Sequence, residues 1–138
     1  MTEAPITARE FQERLALLCA TANAGLPRRR RDRHILLRSI VGTLDAKASY
    51  SEKSLNVALK EWISQVGAGI AIDHVTLRRY LVDAGYLSRD SGGSTYQVHP
   101  AGRGEVAFEP EVGNVDPIAV VRAAREQAAI GKRERSRS

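Results

Sequence analysis

With 138 residues, 43% of them hydrophobic and only 5% aromatic, the chain can bury one mainly aliphatic core without disulfide or metal staples. The single cysteine, Cys19, excludes an intramolecular disulfide and fits a reducing cytoplasm; no apolar run reaches the ~20 residues of a membrane helix, and Met1 to Glu13 lack the apolar segment of a signal peptide. The net charge of +5 is concentrated in two blocks, Arg28, Arg29, Arg30, Arg31, Arg33 and Arg38 against Asp32, and six bases from Arg122 onward against Glu126 and Glu134, which makes polyanions the expected partner class.

Thr7 and Glu10 have the spacing of a capping box, and Phe11, Leu15, Leu18, Cys19 and Ala22 follow at helical spacing. A first amphipathic helix is expected from Ala8 to Asn23, stopped by Asn23 and Gly25. Pro27 is expected to open a second helix, with Leu36, Leu37, Ile40, Val41 and Leu44 on its core face. Its arginines crowd the first two turns, against the helix dipole, which suggests a use for the charge; a solvated charge run is the alternative.

Ala48-Ser49-Tyr50 suits a short bridging strand, and Ser51 caps a third helix whose apolar face is Leu55, Leu59, Trp62, Ile63 and Val66. Gly67-Ala68-Gly69 breaks it. Asp73 caps a fourth helix, His74 to Ala84, closed by Gly85 in a left-handed position. Tyr86-Leu87-Ser88-Arg89 and Thr95-Tyr96-Gln97-Val98 read as a hairpin across the turn-forming residues Asp90 to Ser94.

The expected fold is therefore mainly α with a small β-hairpin, a winged helix-turn-helix with extra N- and C-terminal helices. The chain divides into an N-terminal amphipathic helix (1–26), the winged-helix domain (27–98), a linker (99–115), and a C-terminal helix with a basic tail (116–138). Asp116-Pro117 starts that last helix, which is expected to run on Ile118, Val121 and Ala128 to about Ile130; Lys132 to Ser138 is expected to be disordered.

The fourth helix is the candidate recognition helix. At 100° per residue, Leu77, Tyr80, Leu81 and Ala84 point to the core. Val75, Arg79 and Val82 fall opposite, with Arg78 beside them and Thr76 at the other edge. The arginines suit guanine edges or phosphates, and Val75 suits a thymine methyl. The competing reading pairs Arg78 and Arg79 with Asp83 and other surface acids. At the hairpin tip, Arg89, Ser91, Gly92, Gly93 and Ser94 offer a cation, hydroxyls and backbone N–H groups to phosphate, although tip glycines also serve turn geometry alone.

The run Asp73-His74-Val75-Thr76-Leu77-Arg78-Arg79-Tyr80-Leu81-Val82-Asp83-Ala84-Gly85-Tyr86-Leu87-Ser88-Arg89 resembles the signature of the bacterial domain-of-unknown-function family 2087. Leu26-Pro27 with its following bases, and Tyr50-Ser51-Glu52-Lys53-Ser54-Leu55-Asn56, resemble two further blocks of that family. The resemblance spans Leu26 to Val98. It implies a winged helix found beside or within ArsR-like transcriptional regulators, and it supplies no catalytic residue. Ser54 departs from the acid usual at its position, and Val66 to Ile72 lengthens the connection before the fourth helix.

His34, His74 and His99 are scattered without ligand spacing, and no Lys-Ser or Lys-Thr follows Gly67-Ala68-Gly69. No enzyme activity, metal or cofactor is expected. The expected function is a bacterial transcriptional regulator that binds double-stranded DNA. The phosphate- and base-contacting residues would be Arg28, Arg29, Arg30, Arg31, Arg33, Val75, Thr76, Arg78, Arg79, Arg89, Ser91, Gly92 and Gly93. A homodimer through the terminal helices, a cytoplasmic, nucleoid-associated location and no membrane partner complete the expectation. A protein-interaction winged helix and an RNA-binding module are the alternatives.

Overall fold

The computed structural model describes residues 3–20 and 25–137. The elements in chain order are α1 (Ala8–Ala20), α2 (Arg30–Val41), β1 (Ser49–Ser51), α3 (Glu52–Gln65), α4 (His74–Asp83), β2 (Leu87–Arg89), β3 (Thr95–Val98), a 3₁₀ turn (Pro110–Asn114) and α5 (Pro117–Arg137). The strands form one antiparallel sheet in the order β1-β3-β2, with Tyr50 opposite Tyr96 and Leu87 opposite Val98. This is a mainly helical, winged-helix-like fold with a small sheet.

Caps and apolar stripes explain the helices. The Ser51 hydroxyl accepts from the Ser54 amide, and the Asp73 carboxylate accepts from the Thr76 amide, each satisfying an orphan donor of the first turn. Leu55, Leu59 and Trp62 of α3 meet Leu77 and Leu81 of α4 in one core with Ile35, Leu36, Leu37 and Ile40 of α2. Gly85 takes φ +82°, and Tyr86 leaves the turn donating its amide to the Leu81 carbonyl, so α4 passes directly into β2.

Three features differ from the sequence expectation. Pro27 does not open α2, which begins at Arg30; Arg28 and Arg29 precede it in extended or bend conformation. The Ala22 and Asn23 positions assigned to the end of α1 lie outside the described residues. Residues 99–115 are not a spacer: Val106 and Val112 are buried, Phe108 forms a parallel bridge with Ile6, and the Phe108 ring meets Phe11 edge-on at 6.4 Å. Alternation of apolar residues with Gly, Pro and Glu in this strap hides its anchoring, because its partner is the distant N-terminal segment. Finally, α5 continues through Lys132 to Arg137, a run expected to be disordered, since Lys, Arg and Glu are good helix formers once a helix is under way.

The terminal helices pack on their own domain. Phe11, Leu15, Leu18 and Cys19 of α1 and Val121 of α5 are all buried in the common core. Arg125 caps α3 from α5, donating to the carbonyls of Gln65 and Val66 at 2.8 Å each, which places a cation on the negative end of that helix. Beyond Arg125 the apolar stripe of α5 ends, and Ala128, expected to pack, is exposed. Among the described residues, no helix is long and apolar enough to cross a membrane.

Candidate nucleic-acid interface

Leu77 and Leu81 anchor α4, so the opposite side of the helix faces solvent. Arg79 is exposed, as expected, and among the described residues its guanidinium has no ion pair or hydrogen bond. Val75 is 52% exposed beside it. Thr76 is half-buried, and its amide is held by Asp73, whose carboxyl is kept below the usual aspartate range by that hydrogen bond.

The free face is rotated relative to the expected one. On a wheel centred between Leu77 and Leu81, Arg78 and Tyr80 both stand about 80° from the core axis, on opposite flanks. The neighbours decide which flank is covered. Arg78 lies against α3 and β3: it donates to Asn56 Oδ1 at 2.7 Å, pairs with Glu52 at 3.2 Å and lies 6.0 Å from the Tyr96 ring centroid. Val82, on the same flank, packs against the core instead of facing outward. Tyr80, expected inside, is 37% exposed and joins Val75 and Arg79 on the open face. The competing reading of the arginines is thus half right: Arg78 is committed to an acid and an amide, and Arg79 is not.

The hairpin tip is built around Asp90. Its carboxylate accepts from the Ser94 and Thr95 amides at 2.8 and 3.2 Å and from the Ser94 hydroxyl, and these donors hold it below the usual range. The Gly93 amide donates to the Asp90 carbonyl. Gly93 and Ser94 amides are therefore satisfied internally, whereas the Ser91 and Gly92 amides have no partner among the described residues. Arg89 donates to the Gly93 carbonyl at 3.1 Å and stacks 5.6 Å from the Tyr96 ring centroid, so both Arg78 and Arg89 engage the Tyr96 ring. That stack ties the hairpin to α4.

The arginine block behaves differently from its appearance in the sequence. Arg31 makes a two-pronged ion pair with Glu10, at 2.5 and 2.7 Å, and also reaches Glu3 and the Ala4 carbonyl. This bond lowers the Glu10 pKa and takes the Glu10 side chain away from the capping box, of which only the Thr7 hydroxyl to Glu10 amide bond remains. Arg30 pairs loosely with Glu3 at 3.4 Å, and Arg33 donates to the carbonyls of Pro27 and Arg28. Buried Asp32 is closed by Arg14. The crowding of cations at the start of α2 is thus offset by acids from α1 and the N-terminal segment. Only Arg28 and Arg29 expose guanidiniums without a partner among the described residues. No hydrogen bond or ion pair among those residues links this block to α4 or the hairpin.

Among the described residues no group of His, Cys, Asp and Glu has the geometry of a metal site. Cys19 is buried, and desolvation pushes its thiol up to about 11.

The fold and this surface define a small, winged-helix-like protein whose fourth helix presents an unpaired arginine, a tyrosine and a valine beside a hairpin. Residues 24–98, more than half of the chain, match the family described as "Uncharacterized protein conserved in bacteria (DUF2087)". The chain belongs to that family. No curated protein and no solved structure matches it.

Proposed function

We propose that this protein binds double-stranded DNA as a bacterial transcriptional regulator of the ArsR-like kind, with α4 in the major groove and the hairpin as a wing. The observation that carries the reading is the open face of α4. Arg79 is free of partners there, so it meets a base edge or a phosphate without first breaking an internal ion pair, and Val75 and Tyr80 offer apolar contacts beside it. Arg28, Arg29 and the partnerless amides of Ser91 and Gly92 supply phosphate contacts at separate points. Such a protein works in the cytoplasm, at the nucleoid. Titration of duplex DNA at two salt concentrations, against single strands and structured RNA, tests the assignment.

Paired half-sites require two copies. We propose that the protein is a homodimer joined through exposed parts of its terminal helices, where Leu17 of α1 is 53% exposed and Ile130 of α5 is 42% exposed. Light scattering of the full chain and of a Leu17→Glu, Ile130→Lys variant tests this, because neither residue belongs to the core. The dimer reading requires a dimer that the paired change dissociates, and a full chain that stays monomeric at high micromolar concentration defeats it.

Exposed apolar side chains favour a second reading. Val57 of α3, at 59% exposure, and Val75 and Tyr80 of α4 are large apolar side chains in solvent, which suits docking of another protein.

A further inference from the structure

A groove of about 350 Å³ lies between α2 and the 99–115 strap, on elements separate from the free face of α4, and Arg38 lines it. The other walls are largely apolar: Pro100, Val106, Phe108 and Pro110, with Glu109 as the one further charged group. Arg38 is half-buried, and burial pulls its pKa below the usual arginine value. Among the described residues, no carboxylate lies within ion-pair distance of its guanidinium, and no hydrogen bond satisfies it. Every other half-buried arginine described above has such a partner: Arg14 has Asp32, Arg31 has Glu10, Arg78 has Glu52, and Arg33 and Arg125 each have two carbonyls. A desolvated guanidinium left uncompensated costs stability unless something fills the place of the missing anion.

We infer that this groove is a binding site for a small organic monocarboxylate, with Arg38 taking the carboxylate and the strap enclosing an apolar body. The guanidinium fork matches a planar carboxylate in two parallel hydrogen bonds. Phe108 and the proline and valine walls reward an apolar remainder, and the volume falls within the range of small-ligand clefts. Glu109 on the same lining disfavours a second negative charge, which sets a monocarboxylate above a phosphate or a dicarboxylate. The site does not depend on nucleic-acid binding.

The test titrates the full chain, labelled with ¹⁵N, with sodium benzoate, sodium hexanoate and inorganic phosphate at constant ionic strength. Benzoate or hexanoate should move the Arg38 Nε–H resonance and the Ala107 and Phe108 amides along a saturating curve, and phosphate should not. Arg38→Gln should weaken that binding at least about tenfold, the loss of one charge-assisted anchor. Should Arg38→Gln fail to fold, the saturating shift of Arg38 Nε–H in the unaltered chain, undisplaced by phosphate, carries the same decision. Linear, non-saturating shifts with both carboxylates overturn the inference, as does equal binding of phosphate or undiminished binding to folded Arg38→Gln.

Discussion

Arg78 donates to Asn56 across the α3–α4 junction at 2.7 Å, and this bond separates two arginines that are neighbours in sequence. Its guanidinium is mostly covered, so replacing it by alanine leaves Glu52 and Asn56 without their shared donor and bares one face of Tyr96. The Arg78→Ala variant should lose about 2–4 kcal/mol of stability, the sum of a charge-assisted hydrogen bond and a cation–π contact. Arg79→Ala should stay within about 0.5 kcal/mol of the parent in stability, as exposed positions do. On a preferred DNA site Arg79→Ala should cost about 1–3 kcal/mol, and less on random sequence. Urea unfolding and DNA titration of both variants check the division.

A similar division runs through the arginine block. Alanine at Arg28 and Arg29 should leave stability unchanged while lowering the slope of log affinity against log salt by about 0.9 for each phosphate contact removed. Arg31→Ala should act on the fold, since Glu10 loses its partner and Glu3 keeps only Arg30. Thermal melts and salt titrations of these variants, run side by side, report the two effects separately.

Acid should weaken the fold through His34 before it reaches the carboxylates. Its Nδ1 lies 2.7 Å from the Tyr86 hydroxyl and its Nε2 3.4 Å from Glu105, an arrangement satisfied by neutral imidazole with the proton on Nε2. Burial lowers its pKa below 6.5, with Glu105 opposing. The unfolded chain therefore binds the proton more readily than the folded one. The resulting penalty is absent above pH 6.5 and grows as pH falls through that value, becoming complete below the folded pKa. Glu10 and Asp90, whose values are lowered as acids, lose their stabilisation only as pH falls further, below their ordinary 4.5 and 3.8. Melting temperatures should fall as pH drops below about 6.5, and His34→Gln should flatten that decline.

Gly67 sits under the Trp62 ring, and a Cβ there would overlap the ring edge. Gly67→Ala should cost about 1–3 kcal/mol by overpacking. Trp62 is the single tryptophan, so its fluorescence should shift in the folded variant and report the displacement directly.

The α4 cap, the helix order and the hairpin were legible because each rests on local chemistry: Asp73, Ser51 and Gly85 act within a few residues of themselves. The anchoring of the 99–115 strap was not, because its partner is remote. Val106 and Phe108 carry no periodic signal, and only the docking of Ile6 and Phe11 turns the strap into core. Likewise a helical wheel gives Arg78 and Tyr80 equal standing on the flanks of α4; the positions of Asn56 and Tyr96 decide between them, and those follow from tertiary packing. The sequence shows how many arginines lie between Pro27 and Ile40 but not that Glu10 and Glu3 engage two of them, nor that Arg38 turns into a groove.

The most direct test of DNA binding by α4 is an anisotropy titration of the full chain with labelled duplexes at low and moderate salt. One duplex is selected from a random pool and another has its sequence scrambled. The account predicts binding to both at low salt, a steep loss of the scrambled duplex as salt rises, and preference for the selected one that Arg79→Ala abolishes. Failure to bind any duplex at low salt, or tighter binding of single strands or structured RNA, would contradict it.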